Sequence, residues 1–161
     1  MSSRPGRPSN HLAHRAFHKE DSPFYWIARV NGEYSRALER TLKEVECDIP
    51  TWRILAMLHD GGALSVTEIA THAVAKLSTI TRAVYRLKAQ GLVTTATSPT
   101  DARVTMIALT RSGKKALQRI LEPTTELLER SLAGLSPATT KTLNQLLKVL
   151  LERFLEEHNG Q

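Results

Sequence analysis

The stretch KLSTITRAVYRLKAQGLVTT, residues 76–95, has the periodicity of an amphipathic helix that leads into a strand. At about 100° per residue, its apolar residues fall on one stripe: Leu77, Ile80, Val84 and Leu87. The opposite face carries hydroxyl, guanidinium and phenol groups, on Ser78, Thr79, Arg82, Tyr85 and Arg86. A solvated helix face usually mixes both charge signs, yet no acidic residue lies between Lys76 and Thr100. We therefore predict that this face contacts a polyanion.

A shorter helix is predicted just before this stretch. Ser65 and Glu68 have the spacing of a capping box, which begins a helix that extends to about His72. A turn of about four residues joins it to the next helix, which Gly91 ends. Two helices joined in this way, the second with a bare polar face, indicate a helix-turn-helix. Val74 occupies the turn position that often carries glycine.

Two segments rich in β-branched residues follow the helix-turn-helix. LVTTAT, residues 92–97, and RVTMIAL, residues 103–109, are separated by a polar tip, which predicts a β-hairpin. A hairpin in this position serves as a wing. Residues 47–109 are therefore interpreted as a winged helix-turn-helix DNA-binding lobe, which opens with a helix capped by Asp48. The predicted fold class is mainly α with a small β-hairpin wing.

Long amphipathic helices flank this lobe on both sides. They are predicted over residues 24–46, after the capping residue Thr110, and after Ser136, where a wide leucine-rich stripe begins. A small DNA-reading lobe cannot bury all of these apolar faces. Residues 23–46 and 110–158 are therefore predicted to form a helical dimerisation region with a second copy of the chain.

The composition supports a polyanionic partner. The 161 residues include 22 Lys and Arg against 16 Asp and Glu, a formal net charge of +6. Residues 76–103 alone hold five basic residues and one acid. The length indicates one domain, and the single Cys47 excludes an internal disulfide. No apolar run reaches about 18 residues, so no membrane span is predicted and we expect a soluble, cytoplasmic protein.

The N-terminal segment, residues 1–22, is predicted to be a flexible basic arm because it has little to bury. His11, His14 and His18 lie three and four apart, which suggests a metal-responsive regulator as an alternative. No acid or cysteine of matching spacing supports them. Neither a metal site nor a cofactor is therefore predicted.

Four segments together resemble the multiple-antibiotic-resistance regulator (MarR) family of bacterial transcription factors: IPTWRIL, VTEIA, LSTITRAVYRLKAQGLV and DARVTMIALTRSGKKAL. The resemblance covers residues 24–157. It implies a winged helix-turn-helix homodimer, intertwined through its terminal helices, that binds a pseudo-palindromic operator in double-stranded DNA. It also implies a small aromatic or phenolic effector, bound between the dimer helices and the DNA-binding lobe, that releases DNA. Two positions depart from the family pattern: Lys76 stands where Asp is frequent, and Ala102 replaces one arginine of the wing tip.

The predicted DNA contacts lie on the polar helix face and on the wing. Arg82 can fork onto guanine in the major groove, and the short hydroxyls can reach phosphates or base edges. Arg103 is predicted to enter the minor groove, with Asp101 orienting its guanidinium. Arg86 has two open interpretations, a phosphate contact or a salt bridge within the lobe. The predicted DNA-binding residues are Lys76, Ser78, Thr79, Thr81, Arg82, Arg86, Asp101 and Arg103.

The first long helix carries the segment FYWIARVNGEYSR, residues 24–36. Aromatic rings beside an arginine suit an aromatic carboxylate, since the ring packs flat and the charge is paired. Together with the cavity that the resemblance implies, this gives the candidate ligand-binding residues Tyr25, Trp26, Arg29, Trp52 and His59. The alternative is that these side chains belong to the core or to a dimer interface.

The sequence thus predicts a DNA-binding transcriptional regulator, acting as a repressor that a small ligand releases. A winged-helix protein-interaction module is the main alternative, because the same basic face can dock an acidic partner. An enzyme is not predicted. No serine stands in a strained, glycine-flanked turn, and no histidine lies beside a recognisable nucleophile.

Overall fold

The computed structural model describes residues 18–159, and the chain divides into two compact units after Arg36. The first unit contains a short 3-10 turn, Lys19–Asp21, and the beginning of helix α1, Pro23–Glu44. The sequence placed this turn in the flexible arm. It is ordered because Trp26 donates its indole N–H to the carbonyl of Glu20 at 2.9 Å. The rest of the predicted arm, residues 1–17, lies outside the described residues.

The second unit contains the end of α1, the elements of the predicted lobe and the two helices that follow the lobe. Their order confirms the mainly α fold with a wing, and none of the described helices is long and apolar enough to cross a membrane. These elements are α2 (Ile49–Gly61), β1 (Leu64–Ser65), α3 (Val66–His72), α4 (Leu77–Ala89), β2 (Val93–Thr97), β3 (Thr105–Leu109), α5 (Arg111–Ser131) and α6 (Pro137–Asn159).

Side-chain caps begin four of the described helices, three of them at residues that the sequence predicted and the fourth at Ser136, which accepts from the Thr139 amide at 3.1 Å. Asp48 accepts a hydrogen bond from the Thr51 amide at 2.8 Å at the start of α2. The capping box of α3 is complete, because the Ser65 hydroxyl accepts from the Glu68 amide while the Glu68 carboxylate accepts from the Ser65 amide. Thr110 caps α5 by the same chemistry. Each cap satisfies amides that have no partner inside the helix.

The sheet has one strand more than the predicted hairpin. Its three strands are antiparallel in the order β1-β3-β2. β2 and β3 pair from Val93 opposite Leu109 to Thr97 opposite Thr105, which confirms the wing. The added strand β1 places Leu64 opposite Ile107 and Ser65 opposite Met106. A two-residue strand is too short to show any periodicity, so the sequence did not reveal it.

The core of the second unit lies where α2, α3 and α4 meet the inner strand of the wing and α5. Its largest fully buried side chains are Leu42, Ile54, Leu55, Ile69, Ile80, Leu87, Ile107 and Leu117. One residue of the predicted stripe of α4 is not part of it, since Leu77 is 52 % exposed. Leu77 is the first residue of the helix, where the chain leaves the preceding turn, and Ala83 is buried on the packed face instead.

Helix α6 has a different environment. None of its residues whose side chains are described is buried, and apolar side chains such as Leu146, 60 % exposed, line it. The other exposed apolar residues of α6 are Leu143, Leu147, Val149, Leu151, Phe154 and Leu155. A single chain therefore leaves the leucine-rich face of its last helix in water.

Candidate nucleic-acid interface

The turn between α3 and α4 sets the position of the exposed helix. Val74 adopts a left-handed conformation with φ of 50°. This conformation explains why glycine is frequent at this position of the turn. The Val74 side chain is 93 % exposed, so the strained backbone does not disturb the core. Arg53 of α2 donates from Nη1 to the carbonyl of Ala73 at 3.0 Å, which fastens this turn to α2. The sequence does not indicate this role for Arg53, because nothing near an arginine shows which backbone carbonyl it will contact in the fold.

The polar face of α4 projects into solvent as predicted. Lys76, Ser78, Thr79 and Arg82 are all exposed. Within residues 18–159, the hydroxyls of Ser78 and Thr79 and the charged groups of Lys76 and Arg82 form no hydrogen bond or ion pair with another residue. Their donors are therefore available to phosphates and base edges.

Two predicted contact residues are engaged inside the lobe. Thr81 donates its hydroxyl to the carbonyl of Leu77 at 2.8 Å, so the hydrogen that a phosphate contact needs is already used. Arg86 donates from Nη2 to Asp48 at 2.6 Å and to the Thr51 hydroxyl at 3.0 Å. Of the two interpretations of Arg86, the salt bridge within the lobe is the one formed here.

At the wing tip, Asp101 contacts the backbone of Arg103, whereas the sequence predicted a contact with the Arg103 guanidinium. The Asp101 carboxylate accepts from the backbone amide of Arg103 at 2.9 Å, and its carbonyl accepts from the amide of Val104 at 3.0 Å. Asp101 therefore shapes the backbone of the tip instead of orienting the guanidinium. The Arg103 side chain is exposed at the tip, where a minor-groove contact requires it.

The wing is tied to the exposed helix by a polar contact at its base. Lys88 of α4 donates from Nζ to the hydroxyl of Thr95 in β2 at 2.7 Å. This contact fixes the wing beside α4, and Arg82 and Arg103 have no ion-pair partner among residues 18–159.

Comparison with known proteins identifies this arrangement. The model of the MarR family matches residues 48–105. The HTH-type transcriptional repressor IacR of Pseudomonas putida is 48 % identical over 152 residues, which cover 94 % of this chain and 91 % of that protein. The chain belongs to the MarR family. It is accordingly a DNA-binding transcriptional regulator and not an enzyme.

Solved structures share the MarR-family fold. A transcriptional regulator of the MarR family from Silicibacter pomeroyi is similar with a TM-score of 0.77 and 24 % identity, covering 84 % of this chain and 92 % of that one. BpsR of Bordetella bronchiseptica, whose DNA binding is regulated by 6-hydroxynicotinic acid, is similar with a TM-score of 0.68 and 20 % identity. That likeness covers 79 % of this chain and 96 % of BpsR.

The candidate ligand residues of this MarR-family chain fall into two groups. In the first unit, Tyr25 and Trp26 stack edge to face with their ring centroids 5.1 Å apart. The guanidinium of Arg29 lies 5.9 Å from the centre of the Tyr25 ring, and Lys19 lies 5.5 Å from it. The predicted combination of aromatic rings and an arginine is therefore present on α1, and Lys19 of the preceding 3-10 turn adds a second cation.

The second group lies on α2 of the second unit. Trp52 is half-buried, and His59 is exposed at the rim of a cavity of about 380 Å³ between α2, β3 and α5. The cavity wall is mostly apolar, from Leu58, Leu109, Leu117 and Leu121, with polar groups on His59, Lys114 and Gln118. Trp52 does not line it. Lys114 was not predicted as a ligand residue, because one lysine of a Lys-Lys pair carries no distinguishing signal.

Cys47, the single cysteine of the chain, is partly buried in the loop between α1 and α2. Burial raises the pKa of the Cys47 thiol to about 11, and the charge of Asp48 adds to the effect. The Cys47 thiol is therefore held in its protonated form at neutral pH. His11 and His14 lie outside the described residues, so the metal-responsive alternative stays a hypothesis.

Proposed function

We propose that this chain is a repressor that binds a pseudo-palindromic operator as a homodimer and leaves it when a small aromatic anion binds. The proposal rests on the cationic face of α4 at Lys76 and Arg82, which is exposed and has no ion-pair partner among residues 18–159. Lys76 and Arg82 are exposed there, with Ser78 and Thr79 beside them, and Arg103 is exposed at the wing. A major groove accepts such a helix, while an arginine at the wing suits the narrow groove. A DNA-binding repressor of this kind acts in the cytoplasm.

The dimer is proposed from the apolar face of α6. A row of leucines that a single chain leaves exposed is stabilised when a second copy covers it, because burial of apolar surface favours association. Two copies related by a two-fold axis place their α4 helices in successive major grooves, which sets half-sites roughly 10 base pairs apart.

Titration of a duplex from the region upstream of the chain's own gene tests this function. We expect two chains per duplex by light scattering and selectivity over a scrambled duplex. If Lys76, Arg82 and Arg103 of both chains neutralise phosphates, the logarithm of affinity should fall against the logarithm of salt concentration with a slope of roughly −5. An absence of binding even at low salt would instead favour the protein-interaction module.

The effector is proposed to occupy the cavity at His59. Its apolar wall suits an aromatic ring, and the Lys114 ammonium suits a carboxylate or phenolate. Ala108 and Leu109 of β3 line the same cavity, so a bound ring contacts the root of the wing. BpsR, which 6-hydroxynicotinic acid regulates, supports this class of ligand as a precedent. The Tyr25, Trp26 and Arg29 cluster of α1 is retained as a second proposed contact region.

Lys114→Ala tests the proposed role of the cavity. A hydrogen bond to a charged group contributes about 1.5 to 3 kcal/mol, so the variant should bind 4-hydroxybenzoate or 6-hydroxynicotinic acid at least about ten-fold more weakly. Lys115→Ala is the matched control, since Lys115 is exposed but does not line the cavity. Calorimetric titration measures both variants. Equal weakening by the two substitutions, or equal binding of 4-hydroxybenzamide, would argue against a charge contact at Lys114.

A further inference from the structure

The contact between Arg86 and the start of α2 links two elements that are far apart in sequence. Arg86 Nη2 lies 2.6 Å from Oδ2 of Asp48 and 3.0 Å from Oγ1 of Thr51. The other carboxylate oxygen of Asp48 accepts the Thr51 amide at 2.8 Å and so caps α2. One carboxylate thus fixes the first turn of α2 and the guanidinium of Arg86 at the same time.

The position of Arg86 on α4 argues against base readout. It lies nine residues after Leu77, which is about 13 Å along the helix axis at 1.5 Å per residue. In helix-turn-helix proteins, the N-terminal part of the recognition helix contacts the base edges. Half of the Arg86 side chain is also covered, with 49 % exposed, whereas no residue among 18–159 pairs with Arg82.

A second polar contact joins α2 to the same helix-turn-helix. Arg53 holds the carbonyl of Ala73 in the turn before α4. α2 therefore contacts the helix-turn-helix at both ends of α4: at the turn that precedes α4 and near the C-terminal end of α4. Two such anchors fix the tilt of α4 as well as its position. The tilt matters for DNA binding because contacts to a ligand need positioning to within about 0.5 Å.

We propose that Asp48, Thr51 and Arg86 form a clamp, here called the α2–α4 clamp, that sets the tilt of α4 for entry into DNA. Arg86 is then a positioning residue, which acts on operator affinity through Asp48 and not through a phosphate. The inference rests on the proposed function, because it concerns how α4 is presented to the operator.

Asp48→Asn separates the clamp from the helix cap. Asparagine caps helices about as well as aspartate, so α2 retains its start while the ion pair is lost. An exposed ion pair contributes at most about 1 kcal/mol, so operator affinity should weaken by up to about five-fold per half-site. This direction is diagnostic: removal of a negative charge from a DNA-binding protein otherwise strengthens binding.

The full test is a double-mutant cycle of Asp48→Asn and Arg86→Gln on operator affinity and its salt dependence. For a clamp, each single variant loses affinity, the double variant loses no more than the stronger single one, and the salt slope stays that of the parent. For a direct phosphate contact, Arg86→Gln reduces the slope by about 1 per chain and Asp48→Asn does not weaken binding. Asp60→Asn is the matched control, because Asp60 is an exposed aspartate at the other end of α2.

Hydrogen exchange without DNA provides an independent readout. Loss of the clamp should speed exchange of the amides in the last turn of α4 in Asp48→Asn but not in Asp60→Asn. Unchanged exchange there would overturn the clamp, whatever the DNA measurement gives. If the parent protein binds no operator while exchange responds as expected, the proposed function fails and the clamp stands as a structural contact.

Discussion

Gly113→Ala is expected to lower the free energy of unfolding by about 3 kcal/mol or more. Gly113 lies in the first turn of α5, where a Cβ would stand 2.0 Å from the carbonyl oxygen of Leu92 and 3.2 Å from Leu109 Cδ2. The Leu92 oxygen cannot move away, because it also accepts the amide and the hydroxyl of Thr110. Relief of the clash therefore requires α5 to shift away from the root of the wing.

Urea unfolding at a fixed protein concentration measures this effect, since the stability of a dimer depends on concentration. Gly32→Ala is the matched control. Among residues 18–159 nothing lies within 4 Å of a Cβ at Gly32, and alanine is favoured over glycine inside a helix by about 0.8 to 1 kcal/mol. That variant should therefore be as stable as the parent or more so. A Gly113→Ala protein with the midpoint of the parent would show that α5 does not approach Leu92 as described.

Arg82→Ala is expected to weaken operator binding at least about 30-fold while fold and dimer survive. A bidentate arginine contributes about 1 to 3 kcal/mol of discrimination, and a dimer uses it once in each half-site. Arg82 has no partner among residues 18–159, so its removal leaves no unsatisfied group in the protein. The thermal midpoint should therefore stay unchanged.

Arg40→Ala is the control for this substitution, because it removes the same charge from an exposed position on α1. Fluorescence anisotropy with the operator and with a scrambled duplex separates loss of specificity from loss of charge. The Arg82 variant should lose its preference for the operator, whereas the Arg40 variant should keep it. Operator affinity equal to that of the parent in Arg82→Ala would remove Arg82 from the proposed contacts.

The features that the sequence predicted well are local. The exposed face of α4 follows from residues within 13 positions of one another, and the cap of α3 follows from Ser65 and Glu68, three apart. Both depend on helix geometry alone, which does not change with the rest of the chain. The wing followed from two β-branched segments on either side of a polar tip, and the flanking helices followed from their own apolar stripes.

The features that the sequence did not reveal depend on residues distant in the chain. Arg86 and Asp48 are 38 positions apart, and an arginine on a basic face gives no sign of which acid it will meet. Gly113 was not singled out, because its role depends on the carbonyl of Leu92, which only the folded lobe brings near. The cavity at His59 likewise needs α2, β3 and α5 together.

Ser65 belongs to two elements at once. Its backbone pairs with Met106 in the sheet, and its hydroxyl begins α3. A displacement of β3 is therefore transmitted directly to the first turn of the helix-turn-helix, with no flexible linker between them. We therefore expect the wing and the helix-turn-helix to move together when either is displaced, with the secondary structure of both retained.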